Sequence, residues 1–338
     1  MSKISTYTLS AGDIEMVVTN YGGRVMKLFA PDRDGKMADV ALGYETTDEY
    51  LNNKGERFLG AVCGRYGNRI ALGEFTLDGV KYSLPINSKG QSLHGGLKGM
   101  DSVAWDVVEH TSSYILFRLF SADGEEGYPG NLTVDMSYEL TPDNEFVIKY
   151  KATTDKATVL NLTHHSYFNL RGEGDGMVTD HLLQINSEFF IPVTEVSIPT
   201  GEVLKVEGTP FDFRELKPIG RDINQDDHQI KMGAGYDHCW VLNNGGEVAL
   251  AATLIEPESG RRMDVYTDQV GIQFYSGNWF DGKTASKSGE GCYLSRGSLA
   301  LETQLFPDAP NNPHFPTSRL DVGDEYTHTC IYKFSVEE

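Results

Sequence analysis

Residues 132–151 read LTVDMSYELTPDNEFVIKYK. Leu132, Val134, Met136, Tyr138 and Leu140 fall on one parity, with Thr133, Asp135, Ser137 and Glu139 on the other. Successive side chains of a strand point to opposite faces, so this period of two marks a strand with one buried face. A TPDNE turn follows, and Phe146, Ile148 and Tyr150 resume the pattern against Lys149 and Lys151. The stretch is an antiparallel hairpin. The pattern recurs in Val248, Leu250, Ala252 and Leu254, which turn around Pro257 to Gly260 into Met263 and Val265. It recurs again in Phe75 and Leu77, the Asp78-Gly79 turn, and Val80, Tyr82 and Leu84. Helical signal is sparse: in TTDEYLNN, Thr46 and Glu49 have capping-box spacing, enough for about two turns. The expectation is all-β: one large antiparallel β-sandwich over residues 1–338, with few short helices and long loops at 171–180 and 215–235.

Composition narrows the function. The chain has 338 residues, 39% of them hydrophobic, with 17 Tyr and 16 Phe to fill a core and 36 Gly to punctuate turns. Its formal charge of −20 repels nucleic acid and anionic lipid, and favours a neutral ligand. The N-terminus lacks an apolar run of signal-peptide length and no stretch is long enough to span a bilayer, so a cytoplasmic protein is expected. Cys63, Cys239, Cys292 and Cys330 are scattered without a C-x-x-C pair and read as reduced, buried thiols.

Two further strands carry polar groups where a sandwich should be apolar. In NLTHHSYFNL, residues 161–170, parity puts Leu162, His164, Phe168 and Leu170 with Leu160 and Ser166, against a wholly polar set of Asn161, Thr163, His165, Tyr167 and Asn169. Five hydrogen-bonding side chains in a row suggest a cleft wall, with plain solvation as the alternative. His165 is then the cleft histidine, and His164 a hydrogen-bonded histidine at the core boundary. In SLALETQLFPDAP, Leu299, Leu301 and Leu305 oppose Ala300, Glu302 and Gln304. Glu302 is either a second cleft group or an exposed edge-strand charge.

Other clusters are weaker alone. CGRYGNRI offers Arg65, Asn68 and Arg69, either ligand groups or a solvated turn. In SLHGG, His94 precedes two glycines where backbone can approach a ligand. GYDHCW supplies Asp237 and His238, and GIQFY alternates Gln273 and Tyr275 against Ile272 and Phe274. No G-x-S-x-G elbow, P-loop, G-x-G-x-x-G or H-x-x-x-H spacing is present, so neither a nucleotide nor a metal has a visible seat. Histidine, carboxylate, arginine, amide and aromatic groups together suit a polyhydroxylated molecule.

The ordered set GNRI, LHGG, HHSYFNL, GYDH, GIQFY and LETQLFPDAPN resembles that of the aldose 1-epimerases, over roughly residues 20 to 332. The resemblance implies a β-supersandwich with an open cleft, and interconversion of the α and β anomers of free aldohexoses such as galactose and glucose without a cofactor. It implies Glu302 as general base and His165 as general acid. Asn68, Arg69, His94, Tyr167, Asp237 and Gln273 would bind the sugar. The acid must start as an imidazolium, which Glu302 and Asp237 are expected to favour. Cys239-Trp240 and the Ala-rich run before Glu302 are local departures that bear on ligand preference. The partner implied is a small sugar, with a monomer or homodimer and no nucleic acid or membrane. Three rivals stay open: a sugar-binding module without turnover, a glycosidase using Glu302 and Asp237, and a hexose-6-phosphate mutarotase.

Overall fold

The computed structural model describes residues 3–52, 55–289 and 291–337. The opening hairpin forms as read: Leu132–Leu140 pairs with Glu145–Thr154, from Leu132 opposite Thr154 to Leu140 opposite Phe146. Burial alternates along Leu132–Leu140 without a break. The hairpin lies within a nine-stranded antiparallel sheet. Its order is Asp106–His110, Tyr114–Ser121, Leu132–Leu140, Glu145–Thr154, Tyr326–Val336, Arg261–Thr267, Ala249–Ile255, Leu182–Ile185 and Lys217–Pro218. A five-stranded sheet runs Leu204–Lys205, Phe189–Ile191, Asp237–Val241, Gly271–Tyr275 and Ala300–Gln304. A four-stranded meander of Thr6–Ala11, Ile14–Thr19, Arg24–Pro31 and Met37–Asp39 completes the layers. One apolar core joins the three, with Met136, Tyr138 and Val265 meeting Leu28, Trp240, Phe274 and Leu301.

The second hairpin departs from simple parity. Register slips between Leu250 and Ala252, and the extra residue reverses the faces on either side of it. Ala252 and Leu254 therefore enter the core while Val248 is left 48% exposed. The third hairpin turns at Asp78 (φ 51°) and Gly79 (φ 76°), the positive pair that a tight two-residue turn requires.

The helix Thr47–Leu51 has the expected capping box between Thr46 and Glu49, and Asn52 caps its C-terminus; Asn53 lies outside the described residues. The expected loop at 215–235 contains a second helix, His228–Gly233, whose N-cap Asp227 accepts from the Gln229 and Ile230 amides. Six residues are too few for an apolar stripe to show by period. Cys63, Cys239 and Cys330 are buried free thiols, but Cys292 is exposed, against expectation, on the strand Cys292–Leu294. No helix among the described residues is long and apolar enough to cross a membrane.

Candidate active site

Only Thr163–His165 of the expected long strand is laddered, with Ala61–Cys63. Parity nevertheless holds on both sides of it. Leu160, Leu162, Phe168 and Leu170 all enter the core. His164 lies edge-on to the rings of Tyr138 (5.5 Å) and Phe146 (6.0 Å), inside the core rather than at its boundary, and its Nδ1 meets Ser166 Oγ at 3.0 Å. The polar face does two jobs. Asn161 donates to Gly67 O (3.0 Å), Thr163 to Thr303 O (3.0 Å) and Asn169 to Gly297 O (3.1 Å), so these three tie the segment down. His165 and Tyr167 remain to face a cleft.

That cleft has a volume of about 250 Å³ and is lined by Asn68, Arg69, His94, His165, Tyr167, Asp237 and Glu302, with Glu56, Phe58, Lys89, Tyr275 and Trp279 among the other walls. His165 sits between Phe58 (6.1 Å) and Tyr167 (4.6 Å), both near-parallel to its ring. Its Nε2 is 3.5 Å from Glu302 Oε1. Glu302 ends the five-stranded sheet, opposite Gln273, yet is only 2% exposed. It is therefore an edge-strand carboxylate by topology and a buried one by environment. Gln273 stands behind the wall rather than on it: its Nε2 donates to Asp237 Oδ1 (2.8 Å) and holds that carboxylate in place. His165 Nδ1, Glu302 Oε2, Arg69 Nε and Gln273 Oε1 are buried without a protein partner. Such atoms are costly unless a ligand meets them.

Burial governs the charges. It pushes the His165 imidazole down to about 3, with the charge of Arg24 adding to the fall. It raises the Glu302 carboxyl well above its usual range, with Asp237 adding to the rise and Arg69 opposing it. The expectation of a resting imidazolium is thus opposed: desolvation is the largest influence on both groups and disfavours the charged form of each. His94 is likewise held well below its ordinary value by burial and by the proximity of His165 and Arg69. Its Nδ1 accepts the Asn68 amide (3.0 Å), so the single proton of a neutral ring is on Nε2.

This fixes how a close trio behaves. His94, His165 and Glu302 each place a ligand-type atom within 4.8 Å of the others, near enough to consider a metal. A His94 whose Nδ1 is already an acceptor offers the cleft an N–H donor, not a lone pair. The trio is suited to hydroxyl groups.

The loops around the cleft are held from behind. Arg57 makes paired bonds to Asp101 (both 2.7 Å) and donates to Gly96 O (3.1 Å), joining Phe58 to the His94 loop. Gly95 serves packing rather than ligand approach, because a Cβ there would stand 1.8 Å from Gly64 O. Arg65 is structural too, donating to Ser121 Oγ, Ser121 O, Ala122 O and Pro129 O. His238 is a core histidine against Phe211 (4.6 Å). Sequence reasoning did not select Glu56, Phe58, Lys89 or Trp279. They stand on irregular segments where no periodicity assigns a face, whereas Tyr275 shares the parity of Gln273.

An aldose 1-epimerase family model matches residues 5–333. The galactose mutarotase of Bos taurus is 43% identical over 333 residues, covering 98% of this chain and 94% of its own. The aldose 1-epimerase of Escherichia coli (strain K12) is 39% identical over 327 residues, covering 95% and 93%. Among solved structures, the galactose 1-epimerase of Lactobacillus acidophilus NCFM superposes with a TM-score of 0.86 at 30% identity, over 100% of this chain and 96% of that one. With this coverage at both ends, the chain belongs to the aldose 1-epimerase family.

Proposed function

We propose that the cleft interconverts the α and β anomers of a free aldohexose such as galactose or glucose, with Glu302 as base and His165 as acid. The observation that carries this reading is the 3.5 Å approach of His165 Nε2 to Glu302 Oε1 in a cleft where both side chains keep a second, unpartnered polar atom. Residues 1–338 are read as one domain, since one family model spans residues 5–333.

The pair needs one proton between its two members. In the resting cleft burial keeps that proton on the carboxyl; passing it to Nε2 gives carboxylate and imidazolium without exchange with solvent. Glu302 then takes the proton of the anomeric hydroxyl as His165 gives its proton to the ring oxygen. The bond between C1 and the ring oxygen breaks, C1 becomes an aldehyde, and the former ring oxygen becomes a hydroxyl. Rotation about C1–C2 presents the other face of the aldehyde. On closure the imidazole recovers the hydroxyl proton while Glu302 returns its own to the carbonyl oxygen. Ring opening converts the charged pair back into an uncharged one, so burial disfavours the ion pair that precedes opening and favours the state that follows it. Arg69, Asn68 and Asp237 grip the remaining hydroxyls, the His94 Nε2–H donates to an oxygen, and Tyr167 and Phe58 keep water from the imidazole.

A sugar-binding module would need neither the acid nor the base. The cleft sets the carboxyl groups of Glu56, Asp237 and Glu302 beside two cations, Arg69 and Lys89, so a phosphate would find no surplus of positive charge there. Polarimetry of freshly dissolved α-D-galactose at low buffer concentration tests the reading. The expected result is a faster approach to the same final rotation. No acceleration of α-D-galactose or α-D-glucose overturns it. Hydrolysis of an aryl glycoside would assign Glu302 and Asp237 to a glycosidase instead.

A further inference from the structure

His165 and Glu302 lie on neighbouring strands that are not laddered to each other among the described residues: Thr163–His165 pairs with Ala61–Cys63, and Ala300–Gln304 with Gly271–Tyr275. The seam between them is closed at two ends. At one end Phe168 and Leu299 exchange backbone bonds (2.7 and 2.9 Å). At the other, side chains substitute for the ladder: Leu305 N donates to Asn161 Oδ1 (2.9 Å), and Thr163 Oγ1 donates to Thr303 O (3.0 Å). The two strands run antiparallel between these ends, and His165 and Glu302 sit across the gap from one another.

We propose that Thr163 is a positioning residue, its hydroxyl setting the separation of the pair; this rests on the proposed roles of Glu302 and His165. Thr163 is two residues from His165 on the same face, and Thr303 adjoins Glu302, so the bond joins the two carriers at the point nearest the pair. A backbone ladder there would draw the strands to about 4.8 Å and fix them along their whole length. Side-chain ties in place of a ladder leave the acid and base 3.5 Å apart with a sugar able to reach both. The tie is braced from the core: Thr303 Oγ1 meets His328 Nε2 at 2.8 Å, while His328 Nδ1 meets Leu162 O at 3.2 Å. A carbonyl only accepts, so His328 carries its proton on Nδ1 and Thr303 donates to Nε2. Residues 162, 163, 303 and 328 thus form a closed loop of three bonds spanning the two strands.

Two near-isosteric changes separate positioning from stability. Thr163→Val removes the hydroxyl that crosses the seam. Thr303→Val removes the brace but keeps the Thr303 carbonyl and hence the tie. Both bury a methyl in place of a hydroxyl and disturb a fully buried site. With α-D-galactose, Thr163→Val is expected to lower kcat at least tenfold with KM within twofold, Thr163→Ser to stay within threefold of wild type, and Thr303→Val to lose less than fivefold. Circular dichroism and melting curves establish that the variants are folded. A folded Thr163→Val with wild-type kcat, a Thr163→Ser as impaired as Thr163→Val, or equal losses in Thr163→Val and Thr303→Val would overturn the proposal. If Thr163→Val does not fold, Thr163→Cys takes its place with the same kcat expectation. Wild-type protein in the same polarimeter separates the two readings, because a failure there concerns the epimerase activity and not Thr163.

Discussion

His164 and His165 are consecutive residues that share burial and charge state yet face different regions. Burial holds both imidazoles down to about 3, with 2% and 5% of their surfaces exposed. Each also has one ring nitrogen without a protein partner. What separates them is the company on each side of the strand. His164 meets aromatic rings and one serine hydroxyl in a close-packed core. His165 meets a carboxylate at 3.5 Å across an opening. A depressed histidine pKa therefore reports desolvation and not function. The mark of the active face is a titratable partner within reach and space for a third party.

The severest test of that contrast is removal of the partner. Glu302→Gln keeps the shape and the hydrogen bonding but abolishes the base. Turnover of α-D-galactose should fall about 10² to 10⁴-fold, while sugar affinity by calorimetry stays within about tenfold. Undiminished turnover would remove Glu302 from the mechanism and leave the two faces of the strand functionally alike.

The histidines themselves come next. His165→Asn should lower kcat about 10² to 10⁴-fold with the melting temperature little changed, and His164→Asn should do the reverse, costing about 1 to 3 kcal/mol of stability through its lost Ser166 contact while kcat stays within about tenfold. Polarimetry and thermal melts on the two proteins side by side make the comparison. Equal kcat losses in two folded variants would break it.

Asp237 offers a smaller and differently shaped effect, sharpening which cleft groups act in the reaction and which only hold the sugar. Asp237→Asn should raise KM about tenfold with kcat within about threefold, as expected when an interaction is made equally before and during the reaction. Asp237 is also one cause of the raised Glu302 pKa, so the substitution should shift the alkaline limb of the rate profile toward lower pH. A loss confined to kcat would move Asp237 into the chemistry.

Much of this contrast was legible from parity. Period two separated His164 from His165, and Leu301 from Glu302, because each pair lies on extended backbone flanked by residues that enter the core. It survived even where the ladder stops after His165, since backbone bonds join Tyr167 to Leu42, Phe168 to Leu299 and Asn169 to Val40. It failed at Val248, where one bulge residue reversed the faces, and a bulge leaves no mark in the alternation of apolar types. Charge was less legible than placement. The motifs located the proposed acid and base, but the pull of burial against their charged forms follows from depth, which depends on the distant elements that close over the strand. Phe58 and the Arg57–Asp101 clamp were invisible for a related reason: their contacts join residues 44 apart along irregular chain, outside any period.

The finest distinction between the two histidines lies in how stability responds to acid. His94, His164, His165, His181, His238 and His328 are all buried with imidazoles held below their ordinary value of 6.5, down to about 3 for His164, His165 and His238 and about 4 for His181 and His328. A depressed folded pKa means that the unfolded chain takes up a proton first. Each such histidine therefore contributes stability at pH values above about 6.5 that is lost as pH falls toward its folded pKa, at about 1.4 kcal/mol per pH unit once the unfolded form is fully protonated. The raised carboxyls of Glu302, Asp39, Glu56 and Asp308 work in the opposite direction, binding their protons in the folded state first, but they are four groups against six. Denaturant melts should show stability falling from about pH 6.5 downward, so that the acid limb of activity is set by unfolding before His165 itself is protonated. Removing either histidine should make this fall shallower by one proton. His164→Asn should do so with catalysis largely kept and His165→Asn with catalysis lost. An unchanged slope in His164→Asn would mean that its imidazole is already charged in the folded protein, and the shared resting state on which the comparison stands would fail.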